Sequence, residues 1–271
     1  MAVEATILGA MDLYVESTGA GEPLVLVHAG VADCHMFDAQ VAAFAPRYRV
    51  IRYDAQGFGR SPMAQAPRPR AEDLLTVLRA QGVERAHLVG VSMGGATVID
   101  FAVEHPEMVG ALIPVASGVS GLDRPADPWL VAQNALEDAA LERGDLDAAE
   151  QADLQTWLAG PRRRLDEMDP AVVALLAPMA RSVLQGDLVR KATPQIEPPA
   201  AGRLGEIRAP TLVLVGDLDV DAVLATTDVL ARGIPGARKQ VLAGTAHLPN
   251  LEQPDTFNTL ILAFLAEHPL S

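Results

Sequence analysis

Short uninterrupted apolar runs alternate along the chain with stretches whose apolar positions recur at helical spacing. Leu24–His28, Tyr48–Asp54, Ala86–Val91, Ala111–Val115, Thr211–Val215 and Ala237–Leu242 read as strands of the buried type. Val3–Leu8 and Met11–Glu16 flank Gly9-Ala10 and read as an opening β-hairpin. Helical spacing appears over Met36–Phe44, Ala71–Gln81, Ser92–Glu104 (halted by Pro106), Asp221–Ala231 and Glu252–Glu267. Apolar strands separated by helices predict an α/β fold whose sheet is mostly parallel, roughly eight-stranded and covered by helices on both faces.

The rhythm breaks between Ser117 and Arg208. That stretch has no convincing strand, and prolines at 161, 170, 178, 194, 198 and 199 punctuate it. Helical segments are expected around Trp129–Leu141, Asp145–Trp157, Pro170–Met179 and Arg181–Arg190. The reading is a helical insertion, residues 117–208, within a discontinuous core made of residues 1–116 and 209–271. Glu137–Asp153, with seven acids and one base, reads as a solvated outer face. Arg162-Arg163-Arg164, followed by Asp166, Glu167 and Asp169, reads as a solvated helix end.

Composition narrows the function classes. The 271 residues carry 21 basic and 35 acidic side chains, a formal net charge of −14. A nucleic-acid binder needs a positive footprint that this chain lacks. The same excess disfavours anionic membranes, and no apolar run approaches the ~18 residues that cross a bilayer. Cys34 is the single cysteine, so neither an intramolecular disulfide nor a cysteine-rich metal site can form. The six histidines show no metal-binding spacing, so no metal is expected. Met1–Ser17 has no basic n-region and is not expected to be a signal peptide. The expectation is a cytoplasmic protein with a small-molecule partner, and a homodimer is an open option.

Gly90-Val91-Ser92-Met93-Gly94 is a G-x-S-x-G pattern with an apolar strand running in and a helix running out. A tight strand-to-helix turn there holds a serine hydroxyl above the sheet, and it needs flanking glycines because a Cβ would collide with neighbouring backbone.

At this point the chain resembles the α/β-hydrolase family over nearly its whole length. Asp54-Ala55-Gln56-Gly57-Phe58-Gly59-Arg60-Ser61 is similar to the family's D-x-x-G-x-G-x-S turn, whose role is structural. Val25–Gly30 sits where the family carries its H-G oxyanion loop, with Ala29 in place of the usual glycine. The family's order is serine, acid, histidine. His247, in Gly244-Thr245-Ala246-His247 before E-x-P, resembles the family's base. His28 reads as a hydrogen-bonded scaffold residue, and His35 is the one competing histidine. Asp219 fits the strand-end pattern G-x-x-D after Gly216, with Asp217 and Asp221 left open as alternatives.

The resemblance implies a serine nucleophile at Ser92, a base at His247 and an orienting acid at Asp219. It implies an oxyanion hole from the backbone N–H groups of Met93 and Gly30. Val31 and Leu248, beside these residues, are expected to line the pocket. The resemblance also implies that the insertion, residues 117–208, is a helical cap over the site, and Trp129 and Trp157 in it are read either as core or as pocket wall. A serine at the elbow argues against the dehalogenase and epoxide-hydrolase branches. The closer likeness is to small bacterial esterases and enol-lactone hydrolases of the 3-oxoadipate type. That implies a cofactor-free hydrolase of a small, apolar or weakly polar ester or lactone. The alternatives are a hydrolase of a carbon–carbon bond in a vinylogous diketone and a perhydrolase- or haloperoxidase-like member. A different class is a ligand-binding sensor on the same scaffold.

Overall fold

The computed structural model describes residues 3–8, 12–66, 68–123, 126–186 and 193–270. Eight strands form one sheet: β1 (Val3–Leu8), β2 (Leu13–Thr18), β3 (Glu22–Val27), β4 (Tyr48–Tyr53), β5 (Ala86–Val91), β6 (Val109–Val115), β7 (Leu212–Gly216) and β8 (Arg238–Leu242). Their order across the sheet is β1-β2-β4-β3-β5-β6-β7-β8. β1 and β2 pair antiparallel, as do β2 and β4; every other neighbouring pair is parallel. The hairpin turn expected at Gly9-Ala10 lies outside the described residues.

The continuous apolar runs have a simple cause. Successive side chains of a strand point to opposite faces, and here both faces are buried. Leu24 and Leu26 belong to one core cluster with Phe44, Phe257 and Ile261, while Val25 and Val27 belong to the other with Leu74, Val98 and Phe101. The first face is covered by α1 (Asp38–Phe44) and the closing helix, the second by α2 (Arg70–Ala80) and α3 (Met93–Glu104).

Between β6 and β7 the described residues contain helices α4 (Pro128–Glu142), α5 (Leu146–Leu154) and α6 (Pro170–Gln185), with a π turn over Gln155–Ala159. No named strand lies there among the described residues. The sheet is nevertheless continuous across this stretch: Val115 pairs with Leu214, and Ala116 N–H donates to Leu214 O at 2.8 Å. α6 departs from the expected pair of helices. It runs unbroken through Pro178, because its buried stripe of Leu176, Ala180, Val183 and Leu184 offsets the backbone bond that proline removes. Residues 187–190 of the expected second helix lie outside the described residues. The chain ends with α7 (Asp221–Gly233), the short α8 (Pro249–Glu252) and α9 (Pro254–Glu267). The closing helix, expected from about Glu252, starts at Pro254, because the proline excludes Gln253 (φ −136°, ψ 65°) from the helical region. Among the described residues no helix is long and apolar enough to cross a membrane.

Candidate active site

β5 delivers Ser92 directly into the first turn of α3. Ser92 takes φ +55° and ψ −111°, a strained conformation for a residue with a Cβ. The turn is closed by backbone contact. A Cβ on Gly90 would lie 2.1 Å from Gly94 O, and one on Gly94 would lie 2.0 Å from Val27 O. Strand, elbow and helix can therefore approach this closely only with glycine on either side of the serine.

His247 follows β8 in the loop that precedes α8. Its Nδ1–H donates to Asp219 Oδ2 at 2.9 Å, with Oδ1 at 3.1 Å. Both side chains are almost fully buried. Asp219 Oδ1 also accepts the N–H of Val220 at 2.7 Å, which fixes the carboxylate plane. The other two candidate acids point elsewhere. Asp217 accepts the N–H of Gly244 at 2.6 Å, and Asp221 pairs with Arg162 at 2.6 Å. His247 Nε2 is buried without a hydrogen-bond partner among the described residues, and the His247 residue borders the same cavity as Ser92.

That cavity has a volume of about 220 Å³, and Gly30 and Val31 form part of its wall. Residues 29–32 make a turn, closed by Ala32 N–H to Ala29 O at 3.1 Å. The Cβ position of Gly30 lies 3.6 Å from Met93 Cβ, so the loop and the elbow face each other. Met93 is the first residue of α3, where a backbone N–H has no intrahelical acceptor. His28 anchors the loop as a scaffold. Its Nδ1 lies 2.8 Å from Ala29 O, and its Nε2 accepts the N–H of Ala55 at 3.0 Å. Burial pushes the His28 imidazole below its usual range, in keeping with a neutral ring in that role. Ala29 N–H donates to Met36 Sδ at 3.3 Å, and Met36 O accepts from Asn250 Nδ2 at 3.3 Å. The segment at residues 28–32 and the loop that carries His247 thus share one buried support.

The turn at residues 54–61 is structural. Asp54 accepts the N–H groups of Cys34 (2.9 Å) and Arg60 (2.8 Å), and Ser61 Oγ–H donates to Asp54 O at 2.6 Å. His35 is not among the cavity-lining residues and lies 3.0 Å from Asp33 and 3.3 Å from Glu16. Glu16, Cys34 and His35 present ligand-type atoms within 4.8 Å of one another. Glu16 is already paired with Arg52 at 2.6 Å, and burial holds the Cys34 thiol far above its usual range, away from the thiolate that ligates metals.

Of the expected pocket residues, Val31 and Trp157 border the cavity. The Trp157 ring packs on the His247 ring with centroids 4.6 Å apart. Leu248 is fully buried in the core cluster, and Trp129 packs against that cluster; neither is among the cavity-lining residues. Two features escaped the sequence reading. Glu137 and Asp153, expected on a solvated outer face, border the cavity, and Asp153 is only 6% exposed. Asp153 stands at helical spacing from the buried Ala149 and Thr156, which is the signal that could have found it. Arg162 and Arg163, expected in solvent, bond to the loops that carry Asp219 and His247. Arg163 also pairs with the buried Glu252 at 2.7 Å.

A second cavity of about 140 Å³ lies along α3, bordered by Met93, Thr97, Asp100 and Ser120. Asp100 accepts the Ser120 hydroxyl at 2.6 Å, and burial pushes its carboxyl up to about 6. A carboxyl whose pKa rises on folding binds its proton more tightly in the native state, so stability falls as pH climbs from about 4 to 6. Asp100→Asn removes that penalty. Denaturant unfolding at pH 8 is expected to show the variant more stable by up to about 3 kcal/mol, with the gain vanishing near pH 4. An equal difference at both pH values would assign it to packing instead.

A family model for the alpha/beta hydrolase fold matches residues 22–254. The chain is 32% identical to the 2-hydroxy-6-oxononadienedioate/2-hydroxy-6-oxononatrienedioate hydrolase of Paraburkholderia phymatum, over 95% of this chain and 92% of that protein. It is 29% identical to the pimeloyl-[acyl-carrier protein] methyl ester esterase of Aeromonas hydrophila, over 94% of this chain and 100% of the esterase. Among solved structures, a hydrolase from Pseudomonas aeruginosa superimposes with a TM-score of 0.76 at 28% identity, covering 97% of this chain and 98% of the other.

Proposed function

The chain belongs to the α/β-hydrolase fold family, and on that premise we propose that it is a cytoplasmic serine hydrolase cleaving a small carboxylic ester or lactone through an acyl-enzyme on Ser92. The observation that carries this reading is the Asp219–His247 pair, which leaves Nε2 without a partner on a histidine that borders the same cavity as Ser92. Ser92 Oγ attacks the acyl carbon while His247 Nε2 takes its proton. Asp219 keeps the other ring nitrogen protonated and stabilises the imidazolium. The N–H groups of Met93 and Gly30 hydrogen-bond the developing oxyanion, each donor worth about 3 kcal/mol of transition-state stabilisation. His247 then protonates the leaving oxygen, and a water molecule repeats the sequence to release the acid. Every proton transfer uses the chain's own groups.

Residues 117–208 act in this reading as a cap on the core formed by 1–116 and 209–271, with Trp157, Val183 and Leu184 contributing the roof. A cavity of about 220 Å³ is smaller than the roughly 300–1,000 Å³ of drug-sized pockets, which favours a short acyl group.

A second reading, hydrolysis of a carbon–carbon bond in a vinylogous diketone, is favoured by the 32% identity to the Paraburkholderia enzyme. A substrate panel separates the two. The expected result is multiple turnover of acetyl and butyryl chromogenic esters, falling with longer acyl chains. Turnover of a ring-cleavage diketone with an inert ester panel supports the second reading. Stoichiometric labelling of Ser92 by a fluorophosphonate with no turnover of either class supports a ligand sensor and overturns both.

A further inference from the structure

The segment that follows α5 does more than roof the cavity. Its π turn seats Trp157 on the His247 ring, and Gly160 is then wedged between the two loops that carry Asp219 and His247. Gly160 has φ +75°, and a Cβ there would lie 2.7 Å from Leu218 O and 3.1 Å from Ala246 Cβ. Gln155 ties the segment to itself, donating to the carbonyls of Gly160 (3.0 Å) and Arg163 (2.9 Å).

The two arginines that follow reach one loop each. Arg162 donates to the main-chain O of Asp219 at 2.7 Å and to Asp221 Oδ1 at 2.6 Å. Arg163 donates to the carbonyls of Ala159 (3.1 Å), Leu158 (3.2 Å) and Gly244 (3.3 Å), and pairs with Glu252 Oε2 at 2.7 Å. Glu252 Oε1 accepts the N–H of Ala246, the residue before His247, at 2.8 Å. Burial pushes the Glu252 carboxyl upward, while the Ala246 N–H and the Arg163 guanidinium pull it back toward the charged form. A planar guanidinium with five donors can serve acceptors from three chain segments at once, which an ammonium on a flexible stem cannot.

We propose that Arg162 and Arg163 are positioning residues for the acid–base pair: through them residues 155–163 of the insertion hold the Asp219 loop and the His247 loop in register. This rests on the triad reading. It makes seating of the insertion and alignment of His247 a single event, so that a displaced insertion leaves a misaligned base.

The test uses the full chain. Since a displacement of ~1 Å can cost about 10²-fold in rate, Arg163→Ala is expected to lower kcat on a short ester about 100-fold with KM changed less than about threefold. Arg163→Lys, which keeps the charge opposite Glu252, is expected to fall between the two. Millimolar guanidinium is expected to restore part of the Arg163→Ala rate. Arg181→Ala, which removes the ion pairs with Asp147 and Glu150 confined to α5 and α6, is the control expected to keep wild-type kcat. A readout independent of turnover is the low-field proton resonance of His247 Nδ1–H, expected to be sharp in wild type and broadened in Arg163→Ala. A kcat within about threefold of wild type, with only the melting temperature lowered, overturns the proposal. Should Arg163→Ala fail to fold, Arg163→Lys and Arg162→Ala decide by the same kcat and resonance criteria. If wild type turns over no ester yet the resonance responds to Arg163, the esterase reading fails and the positioning role stands. If esters turn over and neither readout moves, the positioning role fails alone.

Discussion

Ser92→Ala is expected to lower kcat on a short chromogenic ester by about 10⁶-fold while leaving the protein folded, because removing a triad nucleophile disables the whole unit and only the oxyanion hole and substrate binding remain. The side chain lost is a single oxygen, and Ser92 serves no structural hydrogen bond as an N-cap of α3. Alanine carries the same Cβ into the same strained backbone position, so the elbow held by Gly90 and Gly94 has no reason to open. The melting temperature should stay near that of wild type, and fluorophosphonate labelling should disappear. A residual rate within about tenfold of wild type would place the nucleophile elsewhere and sink the mechanism.

Asp219→Asn is expected to reduce kcat about 10⁴-fold at neutral pH, for a reason that lies in the local bonding. Oδ1 is committed to the Val220 N–H at 2.7 Å, and Oδ2 faces His247 Nδ1 at 2.9 Å. In the amide, the oxygen stays with Val220 and the NH2 group turns to the imidazole. Nδ1 then has to accept, which moves the ring proton to Nε2 and leaves no base facing Ser92. Asp217→Asn retains the oxygen that accepts from Gly244 and is expected to change kcat less than tenfold. A pH–rate profile at saturating ester checks both variants. If Asp217→Asn were the more damaging of the two, the acid assignment would pass to Asp217.

Most of the sheet was legible in the sequence because the sheet is doubly covered. Strands such as Leu24–Val27 and Ala86–Val91 must be apolar on both faces, which leaves runs that helices of the same chain do not share. The elbow was legible for a related reason. Gly90 and Gly94 answer to a steric constraint that any chain folding this way must meet locally. The insertion was legible only as an interruption. The first two of its helices match the expected segments to within a few residues and α6 was read as two, but which side of each faces the cavity depends on how α4, α5 and α6 lie over the core.

That dependence explains the misreadings. Glu137 and Asp153 look like members of one acidic surface, yet the packing of α5 against α6 turns Asp153 inward. Arg162 and Arg163 look like a solvated basic run, yet besides nearby carbonyls they bond the Asp219 and Gly244 carbonyls, Asp221 and Glu252, far away in sequence, which no local pattern reports. Trp157 reads from the sequence as core or as pocket wall, and the π turn lays its ring on His247 at the cavity.

By itself the sequence determined the strands and the strained turn at Ser92, because these are written in local periodic and steric constraints, while His247 and a choice of three acids came from the likeness to the family's motifs. Tertiary structure alone decided the strand order, the choice of Asp219 over its two neighbours as the partner of His247, the inward face of the acidic helices and the grip of the arginines on both loops. Those contacts join segments far apart in the chain, and a hydrogen bond or a cavity wall exists only once folding has brought its two sides together.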